Sequence, residues 1–283
     1  MSPASISSLR EDFLKEYSAE ENIRRYMKKT AGYGISYLLQ NDYGNIYIEV
    51  IDNFLPKISG RGLRILEFGC GAGMNLIHLV SLLERRGTQV DFACGTDFST
   101  ALIASANAEA KEALTPRSAG RVQFCVAKND SLLEDMSREL HGSPQTLAGS
   151  FDLILGVNTI RYCHRLKNEM ENALQIRELL RDRGVFIVID MNDKFPAFRS
   201  RFRDRATKDK EACYLPSLAE YARPFEAAKF EILRKDNFCW IPHSAGPSLT
   251  TIMKTMTPVL NAVIRSRAMR SLVIGRKNLC MQT

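Results

Sequence analysis

The sequence has 283 residues, 45% of them apolar and 25% charged, with a formal net charge of +7. That is the composition of a soluble globular protein, long enough for one α/β domain with additions and able to bury about three quarters of its unfolded surface. It excludes a low-complexity chain, offers nothing near the ~20 apolar residues of a membrane span, and barely favours nucleic acid as an anionic partner.

Residues 1–60 read as helices. Leu9, Phe13, Tyr17 and then Ile23, Tyr26, Met27 recur at three- and four-residue spacing, Gly32 and Gly34 interrupt, and Ile46 to Phe54 resumes the pattern. The stretch from Met1 to Tyr17 turns acidic at Glu11, Asp12 and Glu16 and has no apolar run of a signal peptide, so a cytoplasmic protein is expected. Tyr17, Tyr26, Tyr33, Tyr37, Tyr43 and Tyr47 suit either a lid over a mixed ligand or helices packed on a core. Pro56 and the Ser59–Gly62 cluster then mark a loop.

From Leu63 the chain alternates strand-like and helix-like segments. Strands are predicted at Leu63–Phe68, Val90–Thr96, Val122–Ala127, Phe151–Val157 and Val185–Met191, the last after a helix-ending Asp182-Arg183-Gly184 turn. Between them lie helices over Met74–Arg85, from a Ser99 cap to Ala113, and over Lys167–Arg181, with a partly helical stretch leading to His141. Such alternation implies a parallel sheet covered by helices on both faces. Beyond it come a helix near Ser217–Ala228, a strand-like run Phe230–Ile241, a helix over Ser248–Ser266 and a last strand Ser271–Gly275. The seven cysteines (70, 94, 125, 163, 213, 239, 280) are odd in number and form no CxxC pair, which argues for reduced apolar residues rather than disulfides or a metal site.

The chemistry concentrates where the first strand ends, in Glu67-Phe68-Gly69-Cys70-Gly71-Ala72-Gly73. Glycines there permit positive φ and close approach of a ligand to the backbone, and the following helix start can hold a carboxylate or anion. By itself such a loop also fits nicotinamide or flavin enzymes. Two details separate the readings: the third glycine comes one residue earlier than in G-x-G-x-x-G, and the acidic Glu67 suits a pyrophosphate poorly. Asp97 ends the second strand, where a carboxylate can accept both hydroxyls of a ribose, and Asn129 and Asp130 follow the third.

This set resembles the class I S-adenosylmethionine-dependent methyltransferases: E-x-G-x-G-x-G over Glu67–Gly73, the acidic Asp97, Asp130 or its neighbour Asn129, the Phe151–Ile154 strand, and Leu180–Gly184 echoing L-x-x-G-G with Arg183 in place of a glycine. The resemblance implies a Rossmann-like α/β fold of seven strands in the order 3-2-1-4-5-7-6, the last antiparallel. A helical N-terminal cap (1–60) would precede the methyltransferase domain (61–283), with a helical insertion at about 246–268. It implies ribose hydroxyls on Asp97, adenine near Phe98, Asn129 and Asp130, and the methionine part over Gly69, Cys70, Gly71 and Gly73, near Glu67 and the Asn158 backbone. S-adenosylhomocysteine would be the product.

Methyl transfer from a sulfonium needs alignment of the acceptor and exclusion of water, and a base only where the acceptor must lose a proton. His164, His243 and Tyr162 are the candidates for that proton, each with a packing or surface role as the blander reading, and His78 reads as structural. No N-P-P-[YF] follows the fourth strand, which weighs against amide or base nitrogens as acceptors. The expected acceptor is a small molecule, anionic or partly apolar, methylated on oxygen. The alternatives are an RNA or protein methyltransferase using the basic loop 194–210, and a non-catalytic regulator that binds the cofactor. The stripe Leu249, Ile252, Met253, Met256, Leu260, Val263, Ile264 is expected to wall an apolar pocket or pack on the core.

Overall fold

The computed structural model describes residues 21, 42–56, 60–198, 215–242 and 245–279. Strands β1 (Leu63–Phe68), β2 (Val90–Asp97), β3 (Val122–Val126), β4 (Phe151–Val157), β5 (Leu180–Met191), β6 (Phe230–Phe238) and β7 (Arg270–Lys277) form one sheet in the order β3-β2-β1-β4-β5-β7-β6. All pairings are parallel except those of β7, which runs antiparallel to β5 and β6. The order matches the expected one. Strand order reverses between β1 and β4, and a crevice opens there at the carboxyl ends of the strands.

Successive strand residues divide between two cores, as a period of two requires. Ile65, Leu153, Leu155, Ile187 and Ile189 face one layer with helices α1 (Gly44–Asn53), α2 (Met74–Arg85) and α3 (Thr100–Ala113). A short helix α4 (Pro116–Ala119) leads into β3. Leu66, Ile154, Phe186 and Val188 face the other layer, built by α5 (Leu132–Glu139), α6 (Pro144–Leu147), α7 (Ile160–Leu166), α8 (Glu169–Leu179) and α9 (Leu218–Ala227). There Phe186 stacks on Phe225 at 4.1 Å and meets Phe230 edge-on at 4.8 Å. Ser99 accepts from Leu102 N–H to start α3, and Ser217 with Glu220 forms a reciprocal cap on α9.

The end of the sheet opposite the crevice is pinned by a buried acid. Asp152 accepts two hydrogen bonds from Arg61, at 2.8 and 2.7 Å, and one from Arg64 N–H at 2.7 Å, while Arg181 pairs with the same carboxylate.

Three elements depart from the sequence expectation. The helix expected over 167–181 is present as α8, but a further helix not foreseen, α7, precedes it, ending at Leu166 where Lys167 turns left-handed at φ 58°. Strand β5 begins at Leu180, pairs with Phe151, and passes the Asp182-Arg183-Gly184 stretch through a register shift with Arg183 at φ 61°. Most different is helix α10 (Pro247–Ile264), between β6 and β7, in which no residue is buried. Its apolar stripe lies open, with Leu249 45%, Ile252 60% and Val263 75% exposed, so among the described residues it neither packs on the core nor walls a pocket. Trp240 Nε1 donates to Asn261 Oδ1 at 2.7 Å to hold it. No helix among the described residues is long and apolar enough to cross a membrane.

Candidate active site

The β1–α2 loop holds Gly69, Gly71 and Gly73 at φ 61°, 56° and 76°, the left-handed region where a side chain is strained. At Gly69 a Cβ would run into the Thr159 side chain, and at Gly73 it would lie 2.6 Å from the Phe124 ring. The loop therefore lies flat between the exits of β3 and β4. Cys70 N–H donates to Thr96 O at 2.8 Å, fastening it to β2. Burial pushes the Cys70 thiol well up, so it stays protonated.

Two buried acids flank this loop. Asp97 Oδ2 accepts from Gly71 N–H at 3.0 Å and Oδ1 from Ser99 N–H at 2.9 Å, while burial raises its pKa. The Phe98 backbone is a third donor, and of about four acceptor positions on a carboxylate Asp97 keeps about one for a hydroxyl. Glu67 is 1% exposed, and burial pushes its pKa to about 8 despite hydrogen bonds from Asn75 and the Leu76 backbone. Its Oε1 accepts from Asn75 Nδ2 at 2.9 Å, and Asn75 Oδ1 in turn accepts from Tyr47 Oη at 2.8 Å. Glu67 Oε2, also buried, has no hydrogen-bond partner. Two buried acids beside one loop favour a ligand carrying cations and hydroxyls over one carrying phosphates.

On the other side of the crevice, Asn158 follows β4 at φ 56°, donates its N–H to Ile189 O at 2.7 Å, and accepts from Arg270 Nη1 at 2.7 Å. Asn129 Nδ2 donates to Thr159 Oγ1 at 3.2 Å and Asp130 accepts from Asn168 Nδ2 at 3.0 Å, tying the β3 exit to the start of α7 and α8. Phe98 is half-buried beside Asp97. Thus Glu67, Gly69, Cys70, Gly71, Gly73, Asp97, Asn129, Asp130 and Asn158 all sit along the carboxyl ends of β1–β4.

The proposed proton-handling residues separate. Tyr162 Oη accepts from Arg161 Nη2 at 2.5 Å, and Arg161 also reaches Asp190 at the end of β5. His164 instead lies in the helical layer, edge-on to Tyr221 at 5.8 Å and 3.5 Å from Glu169, and burial lowers its pKa to about 4. Burial outweighs the nearby acids, and the imidazole is neutral. His243, Tyr17, Tyr26, Tyr33 and Tyr37 lie outside the described residues, as does residue range 199–210 of the basic loop. Tyr43 and Tyr47 are 1% and 2% exposed core residues. Sequence reasoning named Tyr47 only as a lid or packing residue and missed Asn75, Thr159, Arg161, Asp190 and Arg270. Only Asp190 carried a signal, an acid closing the apolar run Val185–Ile189 as Asp97 closes β2.

A family model described as a methyltransferase domain matches residues 39–235. Over 153 residues, 52% of this chain, the sequence is 27% identical to the non-reducing polyketide synthase mapC of Penicillium roqueforti. Over 150 residues, 53% of this chain, it is 29% identical to the citrinin polyketide synthase of Monascus ruber. Each match spans 5% of the relative's length. Among solved structures, the citrinin polyketide synthase CMeT domain superposes with a TM-score of 0.56 at 19% identity, covering 98% of this chain and 57% of that one. Geranyl diphosphate C-methyltransferase from Streptomyces coelicolor A3(2) gives 0.51 at 15% identity, covering 82% and 78%. The structural likenesses are likenesses of fold, whereas the family model covers most of the chain. The glycine loop, its acids and that match together make this chain a member of the class I S-adenosylmethionine-dependent methyltransferases.

Proposed function

We propose that this chain binds S-adenosylmethionine across the carboxyl ends of β1–β4 and methylates an oxygen of a small-molecule acceptor. The observation that carries the reading is Asp97, a buried carboxylate at the end of β2 beside the glycine loop, whose backbone partners leave it an acceptor position for a ribose hydroxyl. Glu67 Oε2, buried and unpartnered, is the group to receive the amino end of the methionine part. The residues fit this ligand: a ribose hydroxyl on Asp97, an ammonium on Glu67, the methionine chain over the flat glycine loop, and the adenine between Phe98 and the Asn129-Asp130 exit. When bound, the cofactor supplies a methyl group on a positively charged sulfur, ready for in-line displacement without further activation. The chain's own task is to align the acceptor and exclude water. Tyr162, with Oη held by Arg161, is the described candidate to take the proton of a hydroxyl acceptor as the O–CH3 bond forms and the C–S bond breaks.

A second reading places the methyl on carbon. It is favoured by the sequence similarity to polyketide synthases and the shared fold with the CMeT domain of one of them. Both readings are tested by mass spectrometry of small molecules that co-purify with the protein, followed by an acceptor-library assay for released S-adenosylhomocysteine. Product analysis tells O- from C-methylation. Turnover on RNA or protein substrates alone would sink the small-molecule reading, and cofactor binding with no turnover on any acceptor would favour a regulator.

A further inference from the structure

Arg270 opens β7 at 5% exposure and is the only lysine or arginine buried among the described residues. Of the partly buried guanidiniums, Arg61 and Arg181 share Asp152, Arg161 faces Asp190 and Arg234 takes Glu49, while Arg64 and Arg121 donate to backbone carbonyls. Arg270 forms no ion pair among the described residues. Its Nη1 donates to the neutral Asn158 Oδ1 at 2.7 Å, and its buried Nε has no hydrogen-bond partner. Asp190, within electrostatic reach of both Arg161 and Arg270, already accepts from Arg161 N–H at 3.0 Å and Met191 N–H at 2.8 Å. Two guanidiniums thus stand against one carboxylate.

A buried cation whose counter-charge is shared and reached without a direct ion pair among the described residues is unfavourable, and a further anion would offset that cost. The location is equally specific. Met191 pairs with Arg270 across the β5–β7 ladder, so the residue stands at the same sheet edge as the glycine loop. Its side chain reaches back to Asn158, at the end of β4. Since β4 adjoins β1, Asn158 stands about one strand spacing, ~5 Å, across the sheet from the loop, and the guanidinium bonded to it comes from the flank away from Asp97. Around it lie the Phe198 ring, 5.8 Å from the guanidinium, the buried Phe238 and Met269, and the buried Tyr43, Tyr221 and Cys239.

We infer that Arg270 is the recognition residue for an oxyanion, carboxylate or phosphate, carried by the methyl acceptor. The planar fork, with one arm fixed on Asn158, presents the remaining donors to a bidentate partner beside the transfer position. The assignment rests on the reading of the glycine loop as the cofactor site, and the test separates the two.

The experiment uses the full chain saturated with S-adenosylhomocysteine, titrated calorimetrically with benzoate, phenyl phosphate and, as the neutral control, benzamide. The wild type should bind one or both anions about tenfold or more tighter than benzamide, and Arg270→Gln should abolish that preference. Affinity for S-adenosylhomocysteine should be unchanged by the substitution. Which anion wins distinguishes a carboxylate acceptor from a phosphate one. Equal binding of all three by the wild type, or an anion preference that survives Arg270→Gln, overturns the assignment. Failure of the wild type to bind S-adenosylhomocysteine overturns the cofactor reading instead. Arg270→Lys covers the case in which the glutamine variant does not fold. It keeps the charge but loses the fork, so benzoate should weaken several-fold and benzamide not at all; equal losses for both count against Arg270.

Discussion

Replacing Glu67 with glutamine should make the protein more stable and a poorer binder of its cofactor. Burial moves the Glu67 pKa from 4.5 to about 8, so the ligand-free fold keeps a proton that the unfolded chain has already released. The resulting loss of stability begins as pH rises through 4.5, grows by about 1.4 kcal/mol per pH unit and levels off near 8. At pH 7.5 it amounts to about 4 kcal/mol. Glutamine escapes this loss and still accepts from Asn75, but it places an amide N–H2 where Oε2 has no partner, at a cost of about 1–3 kcal/mol. Glu67→Gln should therefore stabilise the ligand-free protein by about 1–3 kcal/mol at pH 7.5, and the gain should vanish between about pH 5 and 7. Urea unfolding at pH 5.5, 6.5, 7.5 and 8.5 measures this directly, and calorimetry with S-adenosylhomocysteine should show about tenfold or greater weakening. A variant less stable than wild type at pH 8.5, or a stability difference that does not change with pH, would refute the reasoning.

Asp97→Ala should weaken S-adenosylhomocysteine binding by about one to two orders of magnitude, because a charge-assisted hydrogen bond is lost; calorimetry showing less than about a threefold change removes Asp97 from the site. Asp152→Ala should destabilise the fold by about 3–5 kcal/mol by stranding Arg61 and Arg181, read from the urea midpoint, with cofactor affinity of the folded fraction unchanged. Ile252→Ser on α10 should shift stability by less than about 0.5 kcal/mol, since the side chain is 60% exposed; a loss above 1.5 kcal/mol in the same assay would mean that the stripe is covered in solution.

What could be read from the sequence was local. Leu63–Phe68, Met74–Arg85 and the Ser99 cap were legible to the residue because an apolar run, alternating glycines and a capping serine each act within a few positions. The placement of Asp97 at the end of β2, beside the glycine loop, followed for the same reason. Contacts between distant positions were not legible, because such residues are defined by partners far away in sequence. Arg270 matters through Asn158, and Tyr47 through Asn75 and Glu67. The α7–α8 break has no glycine or proline to announce it, only a left-handed Lys167. In α10 the periodic stripe reported amphipathicity correctly, but periodicity does not say whether anything covers the apolar face.

The adjacency of β1 and β4 also governs how the protein must fold. Arg61 and Asp152, which clasp each other at the start of this strand pair, are 91 positions apart. Closing a loop of that length costs about 4 kcal/mol of chain entropy before any contact compensates it. Parallel pairing at such separation is slow, and it comes after the local β1–α2–β2 unit has every means to form. Gly69 meets Thr159 only once that closure is complete. Cofactor affinity gained during refolding would therefore mark the moment when the two halves of the chain join, well after secondary structure has formed.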